Sequence, residues 1–224
     1  SLALGMTSVI PDMNTSKPAH VDAGKIVRAI RHHNSALGTG SPAIWERLAD
    51  FCIERKVSLP SLRGILMFGA PVSLALHKKL KNVMPNGTTY TPYGATECLP
   101  VSWISGDEIL QDCQNLTLQG KGTCVGRPFP ETDVLIIREQ EGSIADISQV
   151  EKLNAFSIGE ILVSGKQVTR NYFQEEDATK WAKVKDPSGC IWHRMGDLGY
   201  KDGQGRLWFC GRKVHKFDTK DGPV

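Results

Sequence analysis

The run "GILMF" (64–68) is five consecutive apolar residues placed between two stretches whose apolar residues recur at helical spacing. A short continuous run of this kind suits a strand covered on both faces. On its amino-terminal side, "SPAIWERLADFCIERK" (41–56) carries Ile44, Leu48, Phe51 and Cys52 on one helical face, with Ser41 as N-cap and Pro42 at the first helical position. On the other side Ser73 opens a helix whose Leu76, Leu80 and Val83 face inward. An earlier helix, Gly24 to His33, buries Ile26, Val27 and Ile30 and follows the extended "MTSVIP". Helices alternating with strands in this order predict a parallel sheet with right-handed crossovers, an α/β fold.

The pattern changes after about residue 105. "TDVLIIRE", "GEILVSG" and "GRLWFCGR" are short β-rich runs separated by Gly, Asp and Pro, with Lys201-Asp202-Gly203-Gln204-Gly205 as a plain hairpin turn. They predict a small barrel-like or sandwich-like subdomain, interrupted by one helix at about Glu175–Lys183. The expected organisation is an α/β subdomain over 1–105, a β-rich subdomain over 106–212, and a hinge over 213–224.

Several function classes are excluded by what is missing. With 40% hydrophobic and 23% charged residues, the chain is neither disordered nor fibrous. A formal net charge of +3 is too small for a nucleic-acid binder, and Lys78, Lys79 and Lys81 read as the wet face of a helix. No apolar run approaches the roughly 18 residues needed to cross a membrane, so stable insertion is not expected and the cytoplasm is the default location. Cys52, Cys98, Cys113, Cys124, Cys190 and Cys210 contain no C-x-x-C and read as reduced thiols. His32-His33 reads as a helix-end cation pair rather than a metal site, and Gly38-Thr39-Gly40 lacks the third glycine of a dinucleotide motif.

Candidate chemistry sits in "TTYTPYGATECLP" (88–100). There a β-rich run ending in Pro92 leads into Tyr93-Gly94-Ala95-Thr96-Glu97 at the expected carboxyl edge of the sheet, where open α/β sheets bind ligands. A tyrosine ring can stack on a purine, Gly94 and Ala95 let a ligand approach the backbone, a threonine hydroxyl can meet a phosphate, and a glutamate can hold Mg²⁺. Alone, the same five residues also suit a turn with a capping Thr and a solvated Glu.

Four segments in order resemble the adenylate-forming superfamily of acyl-CoA synthetases, fatty-acyl-AMP ligases and adenylation domains. They are "FGAPVS" (68–73), "TPYGATE" (91–97), "GEILVSGKQVTRNYF" (159–173) and "RMGDLGYKDGQGRLWFCGR" (194–212). The resemblance implies ATP and Mg²⁺ as cofactors and assigns roles residue by residue. Gly69, Ala70 and Pro71 would form one wall of an adenine slot and Tyr93 the other. Gly94 and Ala95 would line the nucleotide, Thr96 would meet the α-phosphate, and Glu97 would ligate magnesium. Asp197 would accept the two ribose hydroxyls with Arg212 donating nearby, as suits an acceptor-only carboxylate.

"PYGATECLPV", "WHRMGD" and "GRKVHKF" resemble one branch, the olefin β-lactone synthetases. That likeness implies a long-chain 2-alkyl-3-hydroxy fatty acid as substrate, activated as its adenylate and closed by its own hydroxyl, with possible pathway partner enzymes. His215 stands at the hinge where many acyl-CoA ligases carry an acid, which points away from CoA as acceptor. A long-chain acyl-CoA or acyl-AMP ligase remains the alternative, and a non-catalytic nucleotide- or lipid-binding module the alternative of another class. Trp45 or Ile44 could line an acyl tunnel, with core packing the competing role for Ile44. The superfamily's phosphate loop has no counterpart here, and Lys216 and Lys220 do not stand at its adenylation lysine. With Ser1-Leu2-Ala3-Leu4 in place of a methionine start, the expectation is a piece of a larger enzyme, inactive alone, whose amino- and carboxy-terminal parts are missing.

Overall fold

The structure, a computed structural model, describes residues 4–14, 16–216, 218–219 and 222–223. The Ser1-Leu2-Ala3 start and Lys220 lie outside the described residues. Two compact units divide the chain: Ser1–Thr91 with Ser105–Asp112, and Pro92–Ile104 with Cys113–Val224. The units interleave in sequence, unlike a single cut near residue 105.

In the first unit, helix α1 (Ala23–His32) is capped by Asp22, whose carboxylate accepts from Lys25 N–H. Strand β1 (Leu37–Gly40) precedes α2 (Pro42–Glu54), β2 (Gly64–Met67), α3 (Leu74–Val83) and the start of β3 (Thr88–Ala95). Both strand pairings are parallel, with Leu37 opposite Gly64 and Gly64 opposite Thr88, as the alternation predicts. Ser73 caps α3 by accepting from Leu76 N–H at 3.1 Å. Ser41 stands at the N-cap of α2, but its side chain makes no capping bond, because the Ile44 N–H already bonds the Ser41 carbonyl at 3.1 Å. "MTSVIP" joins no strand.

Strand β1 escaped the sequence reading. Two of its four residues are glycines, and the reason is Trp45: a Cβ on Gly38 would lie 2.4 Å from the indole Cη2. Trp45 is 3% exposed within the core of Leu48, Leu59, Leu62, Ile65, Met67, Leu76 and Leu80, and Ile44 packs against that core. Trp45 is therefore a core residue of this unit. Lys79 is not simply solvated either: it pairs with Glu46 and Asp50, while Lys81 pairs with Asp107 at 2.8 Å.

The second unit is antiparallel. Its strands β4 (Cys98–Ser105), β5 (Thr123–Pro128), β6 (Thr132–Ile137), β7 (Gly159–Gly165), β9 (Ile191–Lys201) and β10 (Leu207–Arg212) run in the order β4-β5-β10-β9-β7-β6, with β8 (Lys183–Lys185) on β9. The ladder is open and does not close into a barrel. Its core gathers Cys98, Val101, Val134, Ile136, Ile161, Val163, Met195 and Leu207. The expected helix is present as Glu176–Ala182. A further helical stretch, 106–118, had no counterpart in the sequence reading. All six cysteines are free thiols, four of them buried.

The turn at Lys201–Gly205 is more than a plain hairpin. Asp202 is buried there, accepting from Arg206 Nε at 2.7 Å, Trp208 Nε1 at 2.9 Å and the Gln204 and Arg206 backbone N–H groups. Among the described residues, no helix is long and apolar enough to cross a membrane.

Candidate functional site

Asp197 owes its position to an irregular β9. Against β7, Leu162 faces Arg194 and Glu160 faces Leu198, so β9 holds two more residues than its partner over that interval. Gly196 sits in this bulge at φ +67°, a conformation other residues adopt only under strain. The bulge re-aims Asp197 and places it across from Arg212 on β10. Tyr93 donates its hydroxyl to Asp197 Oδ2 at 2.5 Å, and Arg212 Nη1 lies 3.1 Å from Oδ1. That contact is an ion pair without hydrogen-bond geometry, so Oδ1 is buried and accepts no hydrogen bond. The carboxylate is 4% exposed, whereas the Arg212 side chain is half exposed. Burial raises the Asp197 pKa, with Tyr93 and Arg212 opposing it, and burial likewise lifts the Tyr93 phenol well above its ordinary value.

Tyr93 belongs to a strand that runs further than expected. Strand β3 passes through Pro92 to Ala95, and Thr96-Glu97 is the two-residue turn into β4. Pro92 lies beyond the pairing with β2, which ends at Tyr90, so its missing N–H costs no bond to that neighbour. A Cβ on Gly94 would come 2.6 Å from the Cys98 carbonyl oxygen, which explains the glycine. Thr96 is exposed at the turn and Glu97 is half-buried.

The segment after β7 is stitched to this turn. Gln167 Nε2 donates to the Pro100 carbonyl at 3.1 Å, Val168 bridges Cys98, and Thr169 N–H donates to the Glu97 carbonyl at 2.8 Å. Tyr172 then donates its hydroxyl to Glu97 Oε1 at 2.7 Å. That bond holds the Glu97 carboxyl below its ordinary pKa, while burial and Glu97 push Tyr172 up to about 12. Lys183 is buried beneath, its Nζ 3.0 Å from Thr169 Oγ1 and 5.7 Å from the Tyr172 ring centre. His193, opposite Lys183 on β9, is lowered to about 4 by burial and then by the Lys183 charge. Sequence reasoning missed Tyr172, Lys183 and His193, because their partners lie in other segments of the chain.

It also missed Arg194. This guanidinium is bidentate to Glu160 at 2.7 and 2.8 Å and donates to the carbonyls of Gln140, Gly142 and Trp181. Lys213 Nζ approaches Glu160 Oε2 at 3.5 Å and donates to the Gln140 carbonyl. These groups border an open cleft of about 400 Å³ with Trp181, Gly196 and Val214. Lys213–His215 form one tight helical turn, with His215 exposed. Gly69, Ala70 and Pro71 form an exposed loop between β2 and α3 in the first unit, with Gly69 at φ +89°. In the second unit Tyr93, Asp197 and Arg212 make one cluster, and Glu97 with Tyr172 and Lys183 another.

Residues 1–173 match the model of a family described as AMP-binding enzyme. The chain is 42% identical over 227 aligned positions to an olefin beta-lactone synthetase of Xanthomonas campestris pv. campestris, and 40% identical to one of Stenotrophomonas maltophilia. Each alignment covers 99% of this chain and 40% of the relative, so the chain spans about two fifths of the length of these relatives. The amide bond synthetase McbA from Marinactinospora thermotolerans shares the fold, with a TM-score of 0.73 at 22% identity over 91% of this chain and 37% of that one. The chain belongs to the AMP-binding enzyme family.

Proposed function

We propose that this chain is part of an ATP-dependent enzyme that activates a carboxylic acid as its adenylate. The acid's carboxylate oxygen attacks the α-phosphorus of ATP, and pyrophosphate leaves. The observation that carries the reading is Asp197: a buried carboxylate, held by Tyr93, with one oxygen that accepts no hydrogen bond. An acceptor in need of a donor is the complement of a sugar hydroxyl. Arg212, half exposed beside that oxygen, is the movable neighbour a ribose would meet. In this reading Gly94 and Ala95 of the second unit line the nucleotide, Tyr93 borders the base, and Thr96 meets the α-phosphate.

Glu97 fits a magnesium ion as a single carboxylate ligand. Mg²⁺ is usually held by one or two carboxylates together with substrate phosphates, and the described residues contain no cluster of three potential metal ligands. When bound, the ion would neutralise charge on the phosphate oxygens.

The specific acid in this reading is a long-chain 2-alkyl-3-hydroxy fatty acid; the beta-lactone in the name of two relatives supports its 3-hydroxyl, because closing such a ring needs a hydroxyl on the β carbon. Its 3-hydroxyl would attack the acyl carbonyl of the adenylate, closing a four-membered lactone, releasing AMP and giving up its proton. The test uses the complete enzyme with ATP, Mg²⁺ and such an acid, with and without CoA, and reads products by mass spectrometry. The expected result is AMP and a product lighter than the acid by one water, without CoA. An acyl-CoA formed only when CoA is added would make the enzyme a thioester ligase, and no AMP from any acid would overturn adenylation. Asp197→Ala should raise the ATP requirement about 10-fold or more, the scale of losing hydrogen bonds to a charged group.

A further inference from the structure

We propose that Tyr172, with Lys183 beneath its ring, is a positioning residue that orients the Glu97 carboxylate at the β3–β4 turn. The inference rests on the reading of Glu97 as the metal ligand and deepens it.

A two-residue turn does not by itself orient a glutamate side chain, whose rotamers are many and close in energy. Four successive contacts supply the constraint. Gln167 to Pro100, Val168 to Cys98 and Thr169 to the Glu97 carbonyl fasten the backbone of 167–169 alongside the turn, and the Tyr172 hydroxyl then reaches Glu97 Oε1. Tyr172 is fixed in turn, because its backbone N–H donates to Thr179 Oγ1 at 3.0 Å and its ring lies over the Lys183 ammonium. One carboxylate oxygen is thereby taken by a phenol, which fixes the plane in which the group would meet a cation.

Burying an ammonium costs several kcal/mol unless it is matched, yet the direct contacts of Lys183 are a neutral hydroxyl and a ring face. A cation under the ring withdraws electron density from the phenol and makes its hydroxyl a stronger donor to the carboxylate.

The experiment measures Mn²⁺ binding to the complete enzyme by electron paramagnetic resonance, with a non-hydrolysable ATP analogue and no turnover. Tyr172→Phe keeps the ring over Lys183 and removes only the hydroxyl. It should weaken Mn²⁺ about 10-fold, the lower end of what losing such an outer partner costs, while affinity for the metal-free analogue and the melting temperature stay unchanged. Lys183→Met should shift Mn²⁺ affinity the same way by less, and it decides the matter if Tyr172→Phe does not fold. Wild-type Mn²⁺ affinity in both variants, with affinity lost in Glu97→Gln, would overturn the positioning role and leave the reading of Glu97 intact. Wild-type affinity in Glu97→Gln would overturn both. An equal loss for the metal-free analogue would reduce Tyr172 to a structural part of the site.

Discussion

At the scale of single residues, the second unit is organised around buried charge. Arg194 and Glu160 are 6% and 2% exposed in their side chains, and Arg194 reaches five acceptor atoms. Removing one partner of such a pair leaves an uncompensated charge in the interior. Arg194→Met should therefore destabilise the unit by about 3–5 kcal/mol, read as a shift in denaturant midpoint, and Glu160→Leu added to it should recover part of the loss. A loss below about 1 kcal/mol would mean that water reaches the pair. Asp197 and Glu97 stood out in the sequence because each belongs to a compact motif. Arg194 and Glu160 lie in two such motifs, but 34 residues apart, and no spacing rule links them.

At the scale of elements, glycines mark where backbone meets something close. Gly38 in β1 accommodates the Trp45 indole. Gly38→Ala should cost about 1–3 kcal/mol by overpacking, seen as a lowered melting temperature, and an unchanged melting temperature would mean that Trp45 has room to move. The helices and β2 were legible because their apolar periodicity records which face is covered. Strand β1 was not legible, since Gly-Thr-Gly has no strand propensity of its own and becomes a strand only between β2 and the α2 tryptophan. The course of β3 through Pro92 was hidden for a related reason: whether a strand tolerates proline depends on which side is paired.

At the scale of the whole molecule, each unit carries one buried neutral histidine. His77 in the first is hydrogen-bonded to Thr89 at 2.7 Å, and His193 in the second faces Lys183. Burial brings both to about 4, against an ordinary 6.5. The unfolded chain thus binds these protons first as pH falls, so the stability is fully present above 6.5 and is lost between 6.5 and 4. Each histidine accounts for at most about 3 kcal/mol. Melting temperatures measured from pH 7.5 to 4.5 should fall, and His77→Gln and His193→Gln should each flatten part of that fall; pH-independent melting would contradict neutral burial. By itself the sequence determined the α/β character of the first unit, the β-rich character of the second and the motifs that carry family membership, because periodicity and short motifs are local properties of the chain. The tertiary structure alone decided the open ladder, the bulge that aims Asp197, and the stitching of Tyr172 to Glu97. Those depend on which distant segments pair and in what register, and no local pattern encodes that choice.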